Sequence, residues 1–187
     1  MLRKSDKLLD NDTARLPIIR IREDGRCLFR SLVYGSCLRT GKPAPNESRQ
    51  KELADDLRAK VVDEFLKRRA EVEWFLGGDF ERYTFQMRKP HVWGGEPELL
   101  MAAHVLQMPI TVFMRDKDSS SLKVIAEYGQ EYGKDNPIRV IYHVSGHYDL
   151  LQSMQSQLFR EKSLWGKLVS DHEGVRSSLP KRLKFDG

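Results

Sequence analysis

At 187 residues, with 40% hydrophobic and 32% charged side chains, the chain suits one domain, since about 150 residues already bury roughly 68–70% of the surface an unfolded chain exposes. Two cysteines are too few for a disulfide framework and point to a reducing compartment, and no run approaches 18 consecutive apolar residues, so no membrane-spanning helix is predicted. The formal net charge of +5 would suit a nucleic acid only if the basic side chains clustered; in Lys51-Glu52-Leu53-Ala54-Asp55-Asp56-Leu57-Arg58 they alternate with acids, as on a solvated helix face, which argues against that partner.

In chain order, residues 1–15 are polar and read as a flexible segment without the apolar core of a secretory signal. Residues 17–22 read as a short strand leading into Asp24-Gly25-Arg26-Cys27-Leu28-Phe29-Arg30-Ser31. After Gly25, the residues Phe29, Leu32, Val33 and Cys37 follow a 3.6-residue period, which predicts a helix with Cys27 in its first turn and Cys37 in the core. A first-turn cysteine meets unpaired backbone N–H groups and the positive end of the helix dipole. Both favour a thiolate, which an ordinary cysteine of pKa about 8.5 does not hold at neutral pH. Gly25 can adopt backbone angles closed to other residues, so the amides of Arg26 and Cys27 are expected to converge on an oxyanion. On these residues alone, a catalytic thiol and an inert buried one both remain open.

Residues 41–46, rich in glycine and proline, form a connector. A helix is predicted over residues 48–69, with Leu53, Leu57, Val61, Val62, Phe65 and Leu66 inward, and Gly77-Gly78-Asp79 ends the short helical piece after it. Trp93-Gly94-Gly95-Glu96 precedes a helix over residues 96–107, with Pro97 near its first turn and Leu99, Leu100, Ala103 and Leu106 inward. Residues 110–114 and 122–127 read as paired strands joined by the polar stretch 116–120.

Residues 138–144, β-branched and aromatic after Pro137, read as a strand that Ser145-Gly146 breaks before a second extended piece, His147 to Leu151. Side chains two apart on a strand share a face about 6.6 Å apart along the chain, so Asp149 can hold the tautomer of His147. A zinc site built on His143 and His147 is disfavoured, because an extended segment would separate the rings by about 13 Å. Helices first and strands last predict an α+β fold. The polar stretch 153–187 reads as an extension, with a weak helix over residues 154–168; Pro180-Lys181-Arg182-Leu183-Lys184 has the look of a nuclear-import signal, though short basic runs are common at chain ends.

Three blocks together carry a family resemblance: Asp24-Gly25-Arg26-Cys27-Leu28-Phe29-Arg30, Trp93-Gly94-Gly95-Glu96-Pro97-Glu98-Leu99 and His147-Tyr148-Asp149. In order and spacing they resemble the OTU (ovarian tumour) cysteine proteases, and most of all the plant members, over residues 17–152. The resemblance implies a papain-like fold with a small mixed sheet packed between helices, and a catalytic domain over residues 16–152. It implies Cys27 as nucleophile, His147 as general base, Asp149 as the acid that orients it, and Asp24, Gly25 and Arg26 as an oxyanion loop in which the backbone of Asp24 matters more than its carboxylate. The substrate implied is a ubiquitin C-terminus joined to lysine, with polyubiquitin chains as partners and no cofactor or metal required. Together with the reducing compartment read from the cysteines and the basic run at 180–184, the expectation is a cytoplasmic, monomeric enzyme with an option of nuclear entry. Trp93, Gly94, Gly95 and Glu96 are candidates for the channel that takes the substrate's extended tail, although Trp93 fits core packing equally well. A catalytically latent ubiquitin-binding module and a thiol hydrolase acting on peptides or another modifier are the alternatives.

Overall fold

In the computed structural model, which describes residues 16–116 and 121–152, the two-residue strand β1 (Ile18–Ile19) leads through a tight turn into α1 (Cys27–Arg39). Every residue of α1 from Cys27 to Gly35 is buried, so among the described residues this helix is enclosed on all sides over that stretch rather than forming one amphipathic wall. Cys37 lies past that stretch and is partly exposed, not part of the core as expected from its place on the stripe.

The helix α2 (Glu47–Lys67) starts where Asn46 accepts a hydrogen bond from the Arg49 amide at 2.9 Å, a side-chain cap on an otherwise unpaired N–H. Its inward stripe is Ala54, Leu57, Arg58, Val61, Val62 and Phe65, one apolar face of 3.6 period with an arginine inserted into it. Leu66, expected inward, is 49% exposed, and Arg58, expected on the solvated face, is 1% exposed. The cause lies far away in sequence: backbone carbonyls from three other segments converge on the Arg58 guanidinium.

A single turn α3 (Arg69–Val72) and the 3-10 turn Glu73–Phe75 end before Gly77 and Gly78. Asp79 then caps α4 (Phe80–Met87), a helix absent from the sequence expectation, by accepting from the Arg82 amide at 3.1 Å. The edge-on contact of Phe65 with Tyr83, centroids 5.8 Å apart, joins α2 to α4. In α5 (Glu96–Leu106) Pro97 stands in the first turn, and the buried Glu98 carboxylate accepts from the Gly95 amide at 2.7 Å and from the Tyr83 hydroxyl. Burial pushes the Glu98 carboxyl up, against the pull of these two donors. Leu99 and Ala103 face inward as expected, joined by Met101 and Ala102, while Leu100 and Leu106 are only partly buried.

The strands β2 (Ile110–Arg115), β3 (Leu122–Tyr128), β4 (Ile138–His143) and β5 (His147–Leu151) join β1 in one sheet of order β1-β5-β4-β2-β3. All neighbours are antiparallel except β2 and β4, which makes the sheet mixed. Alternation along the strands sends Ile110, Val112, Ile138, Val140 and Leu150 into the main core with the helices, while Phe113, Ile141 and Leu151 form a second small cluster with Leu122 on the other face. Expectations for residues 1–15, for 117–120 of the β2–β3 loop, and for the extension 153–187, with its weak helix and basic run, lie outside the described residues.

Candidate active site

The turn before α1 is held in part by contacts from residues distant in sequence. Gly25 has φ +78°, and a Cβ there would stand 2.4 Å from the His91 carbonyl oxygen, so any side chain would collide with backbone. Arg58 clasps the same turn from behind, donating to the Gly25 carbonyl (2.8 Å) and to those of Pro90 (3.1 Å), Val92 (2.8 Å) and Met87 (3.2 Å), with its guanidinium 4.3 Å from the centre of the Phe29 ring. Burial lowers the Arg58 guanidinium to about 10.

The Asp24 carboxylate turns out to organise this loop. It accepts from the Arg26 amide at 3.1 Å and from buried Arg30 at 2.7 and 3.2 Å. Burial would raise Asp24, but Arg30 and the Arg26 amide together hold it below the ordinary carboxylate range. The expectation that its backbone outweighs its carboxylate is therefore incomplete. In this conformation the Arg26 N–H is also engaged by Asp24, so the expected convergence of the Arg26 and Cys27 amides on one point is not in place.

Cys27 begins α1 as expected and is buried. Burial pushes its thiol up, and the Asp24 charge adds to this, against the backbone N–H groups of Tyr148, Leu28 and Cys27 itself. The helix start supplies the favourable amides that the sequence leads one to expect, yet burial outweighs them. Burial thus favours the neutral thiol over the thiolate in this conformation.

The opposing wall is the β4–β5 hairpin. His143 pairs with His147 across a three-residue turn in which Gly146 has φ +90° and its N–H donates to the His143 carbonyl at 2.8 Å. The two rings stack with centroids 5.7 Å apart at 29°. The separation of about 13 Å drawn from an extended segment is thus wrong, because Ser145-Gly146 reverses the chain. Both rings turn to one acid: His147 Nε2 lies 3.0 Å from Asp149 Oδ1 and His143 Nε2 3.1 Å from Oδ2. Asp149 is fully buried and also accepts from the Ile21 amide (2.8 Å) and Arg20 (2.9 Å). Its carboxyl sits below the ordinary range because the Ile21 amide, His147 and Arg20 together outweigh the opposing cost of burial. His147 Nδ1 is buried with no hydrogen-bond partner, its nearest charged neighbour being Glu23 Oε1 at 4.0 Å.

The two walls meet at Tyr148. Its amide points at the Cys27 thiol and its carbonyl accepts from the Ser31 hydroxyl of α1 at 3.2 Å, so β5 carries His147 to the start of α1. A groove of about 470 Å³ runs up to Tyr148, and Trp93, Gly94, Gly95 and Glu96 all line it. Trp93 is 62% exposed, which decides against core packing, and its ring lies over Gly146, where a Cβ would approach to 2.6 Å. At Gly94 a Cβ would meet Leu28 at 2.7 Å. Sequence reasoning missed the tyrosines of the groove, Tyr128, Tyr142 and Tyr148. Burial pushes Tyr128 up to about 12, with the charge of Glu96 and its hydrogen bond adding to this. It also missed His143 and Arg20 on Asp149; the reversal signal Ser-Gly between two histidines was the one local clue. Among the described residues, no group of three or more histidine, cysteine, aspartate or glutamate side chains is arranged to hold a metal ion.

Residues 22–148 match the family model for OTU-like cysteine proteases. Over 146 residues the chain is 63% identical to OVARIAN TUMOR DOMAIN-containing deubiquitinating enzyme 4 of Arabidopsis thaliana, covering 78% of this chain and 46% of that protein. It is 30% identical over 156 residues to OVARIAN TUMOR DOMAIN-containing deubiquitinating enzyme 3 of the same plant, covering 71% and 66%. The chain therefore spans about half to two thirds of these relatives. Among solved structures, the OTUD1 OTU domain superposes with TM-score 0.60 at 21% identity, over 79% of this chain and 94% of that one. The Hazara virus OTU bound to ubiquitin gives 0.57 at 19%, over 73% and 80%. At these identities the two structures speak for the fold.

Proposed function

The chain belongs to the OTU-like cysteine protease family, and on that premise we propose that it is a deubiquitinase that hydrolyses the isopeptide bond between a ubiquitin C-terminus and lysine. The observation that carries this reading is the state of His147: Nε2 is tied to a buried carboxylate, and Nδ1 is left buried and unpaired on the strand that abuts Cys27. Because Asp149 only accepts, Nε2 of His147 carries the proton and Nδ1 the lone pair.

His147 Nδ1 takes the Cys27 proton as sulfur attacks the scissile carbonyl, and Asp149 stabilises the imidazolium that forms. The tetrahedral intermediate collapses to a thioester while the lysine amine leaves with the proton from His147. Water, deprotonated by the same nitrogen, then adds to the thioester, and the carboxylate departs as the thiol is restored. Asp24, Gly25 and Arg26 serve as the oxyanion loop; freeing the Arg26 amide from Asp24 is part of forming the hole.

The groove beside Trp93, Gly94, Gly95 and Glu96 suits an extended, narrow tail, because glycine at 94 and 146 lets its walls close in. A tail ending in two glycines meets that restriction. The relatives carry deubiquitinating enzyme in their names, which supports ubiquitin and its chains as partners. We place the enzyme, as a monomer, in the reducing cytoplasm with access to the nucleus.

The reading is tested by incubating di-ubiquitins with the wild-type chain and with Cys27→Ser, and measuring ubiquitin binding in parallel. Cleavage by the first alone, with binding kept in both, is expected. Binding without cleavage would make the chain a latent ubiquitin receptor, and neither would move the reading to another thiol hydrolase substrate.

A further inference from the structure

The four acceptor positions of Asp149 are all filled, two donors on each oxygen. Oδ1 takes the Ile21 amide (2.8 Å) and His147 Nε2 (3.0 Å); Oδ2 takes Arg20 Nη1 (2.9 Å) and His143 Nε2 (3.1 Å). The two donors on Oδ2 are unlike. The Arg20 side chain is 76% exposed and long, and such surface pairs hold geometry weakly. His143 comes from β4, in register with His147 across the hairpin and stacked on its ring.

We propose that His143 is a positioning residue for the reaction: it pins Oδ2 of Asp149 so that Oδ1 stays aimed at His147. The proposal rests on the triad reading given above. Without this tether the carboxylate is free to turn about its last torsion, and the Nε2–H tautomer of His147 loses its anchor. The charged and titratable groups facing the pair are Asp149 on β5, Arg20 after β1, Glu23, whose Oε1 lies 4.0 Å from His147 Nδ1, and Cys27 at the start of α1, whose thiol meets the Tyr148 amide.

The test compares wild type, His143→Phe, His143→Gln and Asp149→Ala in ubiquitin-substrate hydrolysis, with thermal melts as a check on folding. His143→Phe keeps an aromatic ring against His147 and removes only the N–H donor. Losing one charge-assisted donor of four is expected to lower kcat about tenfold, with KM within twofold. His143→Gln, whose amide can donate to Oδ2, is expected to recover most of kcat. A loss confined to KM, or an equal loss in the Phe and Gln variants, would overturn the proposal. Full activity in His143→Phe alongside loss in Asp149→Ala would also overturn it while leaving the triad standing. Full activity in both variants would remove Asp149 itself from the mechanism, and with it this proposal. Nitrogen-15 NMR of the histidine rings in the wild-type protein gives a second readout that needs no variant: both rings are expected as Nε2–H tautomers, and an Nδ1–H form of His143 would refute the contact.

Discussion

Gly25→Ala is the most informative single change, because its two costs can be separated. A residue with Cβ at φ +78° takes on about 1–2 kcal/mol of backbone strain. The new Cβ would also lie 2.4 Å from His91 O and 2.6 Å from His91 Cα, backbone atoms that have no rotamer to escape into. Relief requires sliding the turn against the segment around His91, and Arg58 ties the two together through the carbonyls of Gly25, Pro90 and Val92. Overpacking of this kind costs about 1–3 kcal/mol, so the total is roughly 2–5 kcal/mol, a large share of the 5–15 kcal/mol that holds a typical domain. Gly77→Ala is the matched control: φ is +58°, with nothing within 4 Å of its Cβ, so it carries the strain without the collision. In differential scanning fluorimetry Gly25→Ala should melt roughly 4–20 °C lower than wild type, taking about 2–4 °C per kcal/mol for a chain of this size, and clearly below Gly77→Ala. Displacing the turn by about 1 Å is expected to reduce turnover by about 10²-fold, while Gly77→Ala leaves it unchanged. Equal melting temperatures for the two variants, or wild-type turnover in Gly25→Ala, would refute the claim that this turn is clamped against residues 90–92.

Arg58→Met leaves four backbone carbonyls, one of them buried and three part-buried, without this donor and should destabilise the fold by about 3–5 kcal/mol, whereas Arg58→Lys, keeping the charge but not the fork, should lose less; denaturant titration of both variants measures this, and a neutral Arg58→Met would show that the buried guanidinium is dispensable. Because burial raises the Cys27 thiol, its alkylation by iodoacetamide in the free protein should go on accelerating above pH 8.5; a rate already level near neutrality would mean a pre-ionised sulfur. The Asp149 carboxyl is held low, so its contribution to stability is complete above the ordinary aspartate pKa of about 3.9 and fades as pH falls through the lower folded value. Melting curves should therefore separate wild type from Asp149→Asn widely at pH 7 and narrowly near pH 3, and a gap independent of pH would contradict the depressed carboxyl.

Much of the site could be read locally. Cys27 at a helix start followed from Gly25 and the period of Phe29, Leu32 and Val33, and the contact of His147 with Asp149 followed from the two-residue repeat of a strand. What escaped depends on chain reversal or on partners remote in sequence. A straight segment would hold His143 far from His147, while the turn at residues 144–146 brings it onto the same acid. Arg58 read as solvent-facing because its neighbours alternate in charge; its acceptors come from residues 25, 87, 90 and 92, invisible to any local window. Arg20 reaches Asp149 across 129 positions of sequence. The thiol shows the same limit in electrostatic form: the helix start argued for easy ionisation, and tertiary burial reversed the direction.

The central claim is that His147 Nδ1 activates the sulfur of Cys27 toward a ubiquitin C-terminus. Treating the chain with ubiquitin bearing an electrophile at its C-terminus, and mapping the adduct by peptide mass spectrometry, tests it directly. A single adduct on Cys27, abolished by Cys27→Ser and slowed by orders of magnitude in His147→Ala while ubiquitin affinity is kept, is the expected result. Labelling at Cys37 instead, or an adduct that forms equally fast without the His147 ring, would contradict it.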